Sequence, residues 1–183
     1  MVNSLSKVFA ALLAVMLLYI YPAAEAAQRQ DDLSRLAARQ AVTRFVDAVR
    51  TKGFITPLMY SEFTNELALT GNLYDINLEH QHLKYVPDYL DAAEPDTFQG
   101  SYQTVYDGYY NAQIFAKLYP GSSVSEDGER RYLMTADDFF SVRITNTNRT
   151  MSESLRSMLL LSTEADASSI YISYGGMVLN EAY

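Results

Sequence analysis

Apolar positions fall into two regimes along the first 52 residues. Residues 8–20 are an almost unbroken apolar run: Val8, Phe9, Leu12, Leu13, Val15, Met16, Leu17, Leu18 and Ile20, interrupted only by alanines and Tyr19. From Leu33 the pattern becomes periodic. Leu33, Leu36, Ala37, Ala41, Val42, Phe45, Val46 and Val49 recur at steps of three and four, the signature of one apolar face of a helix. Asp31 and Asp32 open this stretch and Arg50 and Lys52 close it, the order the helix dipole favours, and Gly53 follows as a C-terminal cap.

Downstream the pattern predicts shorter elements. Thr56-Pro57 supplies an N-cap and a first-turn proline for a helix over residues 56–70, buried through Met59, Tyr60, Phe63 and Leu67 and ended by Gly71. Residues 73–80 alternate as a half-buried strand. Residues 84–100, with Pro87, Pro95, Gly100 and several acids, read as a long loop. Residues 104–119 read as a third helix with Tyr106, Tyr110, Ile114 and Leu118 inward, and residues 121–131 as a polar loop. Phe140, Val142 and Ile144 mark a strand over residues 139–147. Thr150-x-x-Glu153 is a capping box for a helix to about residue 162. Residues 169–174 form a last strand, broken by Gly175-Gly176, which read as a turn or bulge. The expected fold is α+β: a long N-terminal helix, short helices and a small antiparallel sheet. Residues 1–27 form a signal or anchor segment, and residues 28–183 a single head domain.

Composition narrows the function. The net charge of −8 opposes binding to a phosphate backbone, so no nucleic-acid partner is expected. The absence of cysteine excludes disulfides, thiolate metal sites and cysteine nucleophiles. A short start carrying the α-amine and Lys7 before an apolar run is the layout of an export signal, with Met1 cytoplasmic and the head outside. Ala24-Glu-Ala26 matches the small-x-small rule for cleavage before Ala27. The alternative is an uncut anchor that spans the membrane if the apolar count extends through Glu25.

Candidate chemistry is sparse. The only histidines, His80 and His82, are two apart on or just after a strand and can face the same way. With Glu79, Asp75 or Asp88 brought near, they could ligate a divalent ion; lacking an assured third ligand, they read more simply as one core and one strand-end histidine. Asp88, Asp91, Glu94 and Asp96 do not match a calcium loop and read as a solvated acidic segment. The pairs Asp137-Asp138 and Glu126-Asp127 support no glycosidase. Tyr102, Tyr106, Tyr109, Tyr110, Phe115 and Tyr119 form an aromatic-dense stretch that can serve the core or a neighbouring subunit or sugar. Asn148-Arg-Thr150 is a glycosylation sequon in form. No catalytic motif, metal set or cofactor is assigned.

The order of parts resembles pilins and pseudopilins. More closely, Ala41-Val-Thr-Arg-Phe-Val-Asp-Ala-Val-Arg50, Gly71-Asn-Leu-Tyr-Asp-Ile-Asn-Leu-Glu-His80 and Ile170-Tyr-Ile-Ser-Tyr-Gly-Gly-Met177 are similar to the TadE/TadF-type pseudopilin-like proteins of Gram-positive tight-adherence pilus systems. The resemblance implies a non-enzymatic minor pilin or assembly component, anchored by its N-terminal helix in the cell membrane. Its partners would be other pilin or pseudopilin subunits and a membrane assembly platform. Residues 1–7 carry no Gly and residues 8–20 no Glu, the marks of prepilin-peptidase substrates, so the resemblance does not extend to that processing. The other reading is a cleaved, secreted ligand-binding domain.

Overall fold

The computed structural model describes residues 2–91, 93–120, 130–160 and 170–181. A single helix, α1, runs over Val2–Lys52, 51 residues without a break. Pro22 lies inside it. Proline removes one backbone donor, yet the helix passes through it and through Ala24, Ala26 and Ala27. Gly53, at φ 73°, ends α1 and donates its N–H to Val49 O at 2.8 Å.

The remaining elements are β1 (Phe54–Ile55), α2 (Pro57–Ala68), β2 (Tyr74–Tyr89), β3 (Phe98–Tyr110), α3 (Asn111–Leu118), β4 (Tyr132–Leu133), β5 (Phe139–Asn146), α4 (Met151–Leu160) and β6 (Tyr171–Met177). Four strands form an antiparallel sheet in the order β3-β2-β5-β6. β1 and β4 form a separate two-stranded ladder. The fold is α+β, as the pattern predicts. The caps also agree: Met59 N donates to Thr56 Oγ1 at 3.2 Å. In the box before α4, Thr150 N donates to Glu153 Oε2 at 3.2 Å and Glu153 N to Thr150 Oγ1 at 3.3 Å.

The second half of α1 is the spine of the core. Ala41, Val42, Phe45, Val46 and Val49 are buried with Leu78, Phe140, Val142, Ile144 and Ile172 of the sheet. Phe45 stacks on Phe63 of α2 at 4.5 Å between ring centres and meets Phe140 edge-on at 6.2 Å. Higher up α1 the expected stripe is corrected. Leu33, Leu36 and Ala37 are exposed, and the buried line runs instead through Ala38, Ser34 and Ala27. Stepping back from Val42 by fours gives Ala38 and Ser34, so the true seam is a line of small residues. They allow close approach, and Ser34 Oγ bonds Thr70 O at 3.1 Å. α4 packs beside this part of α1, and its Ser152 hydroxyl bonds the Asp31 carboxylate.

Three other expectations are corrected. Residues 84–100 are no long loop: β2 continues to Tyr89 and β3 begins at Phe98. β5 pairs β2 only as far as Gln81, so beyond that point the β2–β3 pair is a two-stranded ribbon. One edge of β2 is free there, which is where Pro87 can be accommodated, next to a register shift between Pro87 and Tyr89. Asp88 therefore lies on a strand, and Asp91, Glu94 and Asp96 lie at the ribbon's tip.

The third helix is half the expected length. Residues 98–110 are strand, and only Asn111–Leu118 is helical. β-branched and aromatic residues dominate 102–110, and Gly108 opposes a helix, so strand pairing wins. Ile114 and Leu118 are buried as expected, whereas Tyr106 and Tyr110 stand exposed on β3.

Gly175 and Gly176 do not break the last strand; they pair with Ser141 and Phe140 inside it. The expected helix end at residue 162, the strand start at residue 169, most of the 121–131 loop and Glu126-Asp127 lie outside the described residues.

Candidate functional site

Two features stand out, at opposite ends of the spine. The first is the N-terminal half of α1. Val8, Phe9, Leu12, Leu13, Val15, Met16 and Leu18 are exposed, Ile20 is partly covered, and Leu17 belongs to the same helical run. This is one helix long and apolar enough to cross a membrane, and none of its most apolar window is buried by the rest of the chain. About 20 residues of helix span the roughly 30 Å hydrocarbon layer, and α1 supplies that length before its packed half begins. The small residues at the possible processing point are part of the same helix: Ala24 is half-buried, Ala26 exposed and Ala27 buried one turn before Asp31.

The second feature is a buried polar cluster where the ribbon leaves the sheet. Alternation on β2 puts Leu78, His80 and His82 on one face, and the pairing of β2 with β5 sets His80 opposite Phe140. β4 is held by β1 directly after α1, which brings in Tyr132. A turn before β5 delivers Asp138: Asp138 N bonds Thr135 O at 3.2 Å, and Asp137 takes the left-handed conformation, φ 70°.

Asp138 is almost wholly buried and all its acceptor positions are used. Oδ2 receives His80 Nε2 at 2.9 Å and Thr135 N at 2.8 Å; Oδ1 receives His82 Nδ1 at 2.8 Å and Leu83 N at 3.0 Å. The other nitrogen of His80, Nδ1, meets Tyr132 Oη at 2.7 Å. Tyr109 stacks on the His80 ring at 5.5 Å. His80 is buried, while His82 keeps about a third of its side chain exposed.

The electrostatics follow from this packing. Burial pushes His80 below the ordinary histidine range, against the pull of Asp138. Burial alone would raise Asp138, but bonds from the Thr135 and Leu83 amides and both imidazoles together hold it below the usual carboxylate value. Burial pushes the Tyr132 phenol far up, with help from Tyr109 and Asp138. The consistent assignment is an ionised Asp138 and a neutral His80 that donates from Nε2 and accepts a hydrogen bond from the Tyr132 hydroxyl at Nδ1.

Alternation on β2 therefore does bring His80 and His82 to one face, but the acids beside them are not the third partner. Glu79 and Asp75 lie on the opposite face of β2, and Asp88 lies further out on the ribbon. The partner is Asp138, 56 residues beyond His82 in sequence. His80, His82 and Asp138 each offer a ligand atom, and these lie within 4.8 Å of one another. Asn148 of the sequon is used structurally: its Oδ1 accepts Leu73 N at 2.8 Å and its Nδ2 donates to Asn72 Oδ1 at 3.2 Å.

Compared with protein-family models, characterised proteins and solved structures, the chain has no significant match.

Proposed function

We propose that this chain is a membrane-anchored, non-enzymatic, pseudopilin-like subunit of a tight-adherence or related type IV-like pilus system. One observation carries the reading: a single unbroken helix, exposed and apolar in its first half, becomes the core spine of an antiparallel-sheet head in its second. Such a helix transmits the position of the head rigidly to whatever holds its N-terminal half. In a bilayer the exposed residues face lipid; in a filament they pack against the same helix of neighbouring subunits, and no new surface has to be exposed on transfer. Lys7 before the apolar run favours the cytoplasmic side, and on this reading the head lies outside. The resemblance of the segments around Ala41, Gly71 and Ile170 to TadE/TadF-type proteins is what directs the reading to a pilus system. The partners on this reading are other pilin-like subunits and a membrane assembly platform.

The chain has no cysteine, so single substitutions report contacts cleanly. Leu13→Cys and Val15→Cys, made at native expression in the bacterium of origin, are expected to crosslink to pilin-like subunits in the membrane fraction. Leu69→Cys, exposed at the far end of α2, serves as control. Crosslinks from position 69 alone, or none from positions 13 and 15, would sink the proposal.

A further inference from the structure

We propose that His80, His82 and Asp138 form a binding site for one divalent transition-metal ion of the zinc class, at the base of the β2–β3 ribbon. The inference stands apart from the pilus reading and rests on the head alone.

The donor set is two imidazole nitrogens and one carboxylate, which suits borderline ions such as Zn²⁺ and disfavours the oxygen-seeking Mg²⁺ and Ca²⁺. All three ligand atoms already converge within 4.8 Å. A tetrahedral ion holds nitrogen and oxygen at about 2.0–2.2 Å, which sets its ligand atoms roughly 3.3 Å apart. The carboxylate–imidazole distances, 2.9 Å from His80 to Oδ2 and 2.8 Å from His82 to Oδ1, are made to different oxygens, so the one kept opens by a few tenths of an ångström and the other imidazole has to move onto the same oxygen. The two imidazoles must draw together, and the partly exposed His82 is the one free to swing.

The surroundings are built as metal sites are. The far nitrogen of His80 is fixed by Tyr132, and the carboxylate is fixed by two backbone amides, so both inner ligands are oriented before an ion arrives. Binding changes tautomers and releases no net proton from neutral imidazoles. The Nε2 proton of His80 is exchanged for one on Nδ1, which stays on the ring and hydrogen-bonds Tyr132 Oη, while the Tyr132 hydroxyl hydrogen rotates away from the imidazole. The Nδ1 proton of His82 moves to Nε2, on the exposed side. Three protein ligands leave a fourth position for water or for a group from a partner. His82 is also the way in, since His80 and Asp138 are both buried.

The test uses tag-free, full-length protein in detergent, stripped with chelator and titrated with Zn²⁺ alone, then with Mg²⁺ and Ca²⁺. The expected result is one Zn²⁺ per chain, a rise in melting temperature on adding it, and no response to the other two ions. His82→Ala, which leaves the buried Asp138–His80–Tyr132 bonds in place, is expected to weaken Zn²⁺ binding at least tenfold and to abolish the thermal shift. Asp88→Asn is expected to bind like the parent. Unchanged Zn²⁺ affinity in His82→Ala, or a parent protein whose melting temperature ignores Zn²⁺, would overturn the site.

Discussion

Arg50 lays its guanidinium over Gly176. Its Nε donates to Met177 O at 2.8 Å, and its own carbonyl accepts Leu179 N at 2.8 Å. The last turn of α1 is thereby tied to the last strand of the sheet, 127 residues away in sequence. A Cβ on Gly176 would fall 2.6 Å from Arg50 Cζ, and one on Gly175 would fall 2.5 Å from Ser141 Cβ and 2.9 Å from Phe140 O. The two glycines are alike in sequence and differ in what they meet. Arg50 can swing away; a neighbouring strand cannot. Gly175→Ala is expected to cost about 1–3 kcal/mol as overpacking. Gly176→Ala should cost under about 1 kcal/mol, the net value of one displaced hydrogen bond. Urea unfolding followed by tyrosine fluorescence ranks them, and equal costs would contradict the account.

The helical spine makes a second contrast. Phe45 is buried against Phe63 and Phe140, so Phe45→Ala should destabilise the head by about 3–5 kcal/mol. Leu36, on the periodic stripe in sequence, is exposed. Leu36→Ala should therefore stay within about 0.5 kcal/mol. Near-UV circular dichroism melts of the two variants check the pair, and a comparable loss in both would show that the seam follows the sequence stripe after all.

Asn111 takes over from β3 where that strand ends. β3 pairs with β2 as far as Glu79 opposite Tyr110; beyond that, Asn111 Oδ1 accepts Leu78 N and Nδ2 donates to Ile76 O, both at 2.7 Å. Asn111→Ala strands a backbone donor and a backbone acceptor at the edge of β2. The expected loss is about 1–3 kcal/mol, with faster amide exchange at Leu78 than in the parent. Slow exchange at Leu78 in the variant would show that another group, or none, caps this edge.

The long helix, the Thr56 and Thr150 caps and the β5 strand were legible because each depends on neighbours in sequence: periodicity, a capping oxygen three residues from its amide, alternation. The ribbon was not. Pro87, Pro95 and Gly100 are turn residues by local rules, and only the pairing of Lys84 with Val105 and Tyr85 with Thr104 makes strands of their surroundings. The same holds for Gly175 and Gly176, whose role is set by Ser141 and Arg50. In the polar cluster the His-x-His alternation was visible and Asp138 was not, because an Asp-Asp pair before a strand is a common pattern. A sharper signal was present: Thr135-x-x-Asp138 is a turn that aims a carboxylate into the start of a buried strand. Tyr132 carried no such mark, since its place depends on β4 finding β1.

On the proposed reading α1 functions whole, as one rod from membrane to head. Ala27 is buried within it, so a peptidase acting on the folded chain has to unwind a buried turn of the helix, one turn before the Asp31 carboxylate that Ser152 of α4 bonds. The most direct test is the intact mass of the protein isolated from its native host, with the fraction in which it is found. The account predicts a chain that retains residues 8–26 and stays in the membrane pellet through an alkaline wash. A chain that begins at Ala27 and is recovered from the culture medium would contradict it.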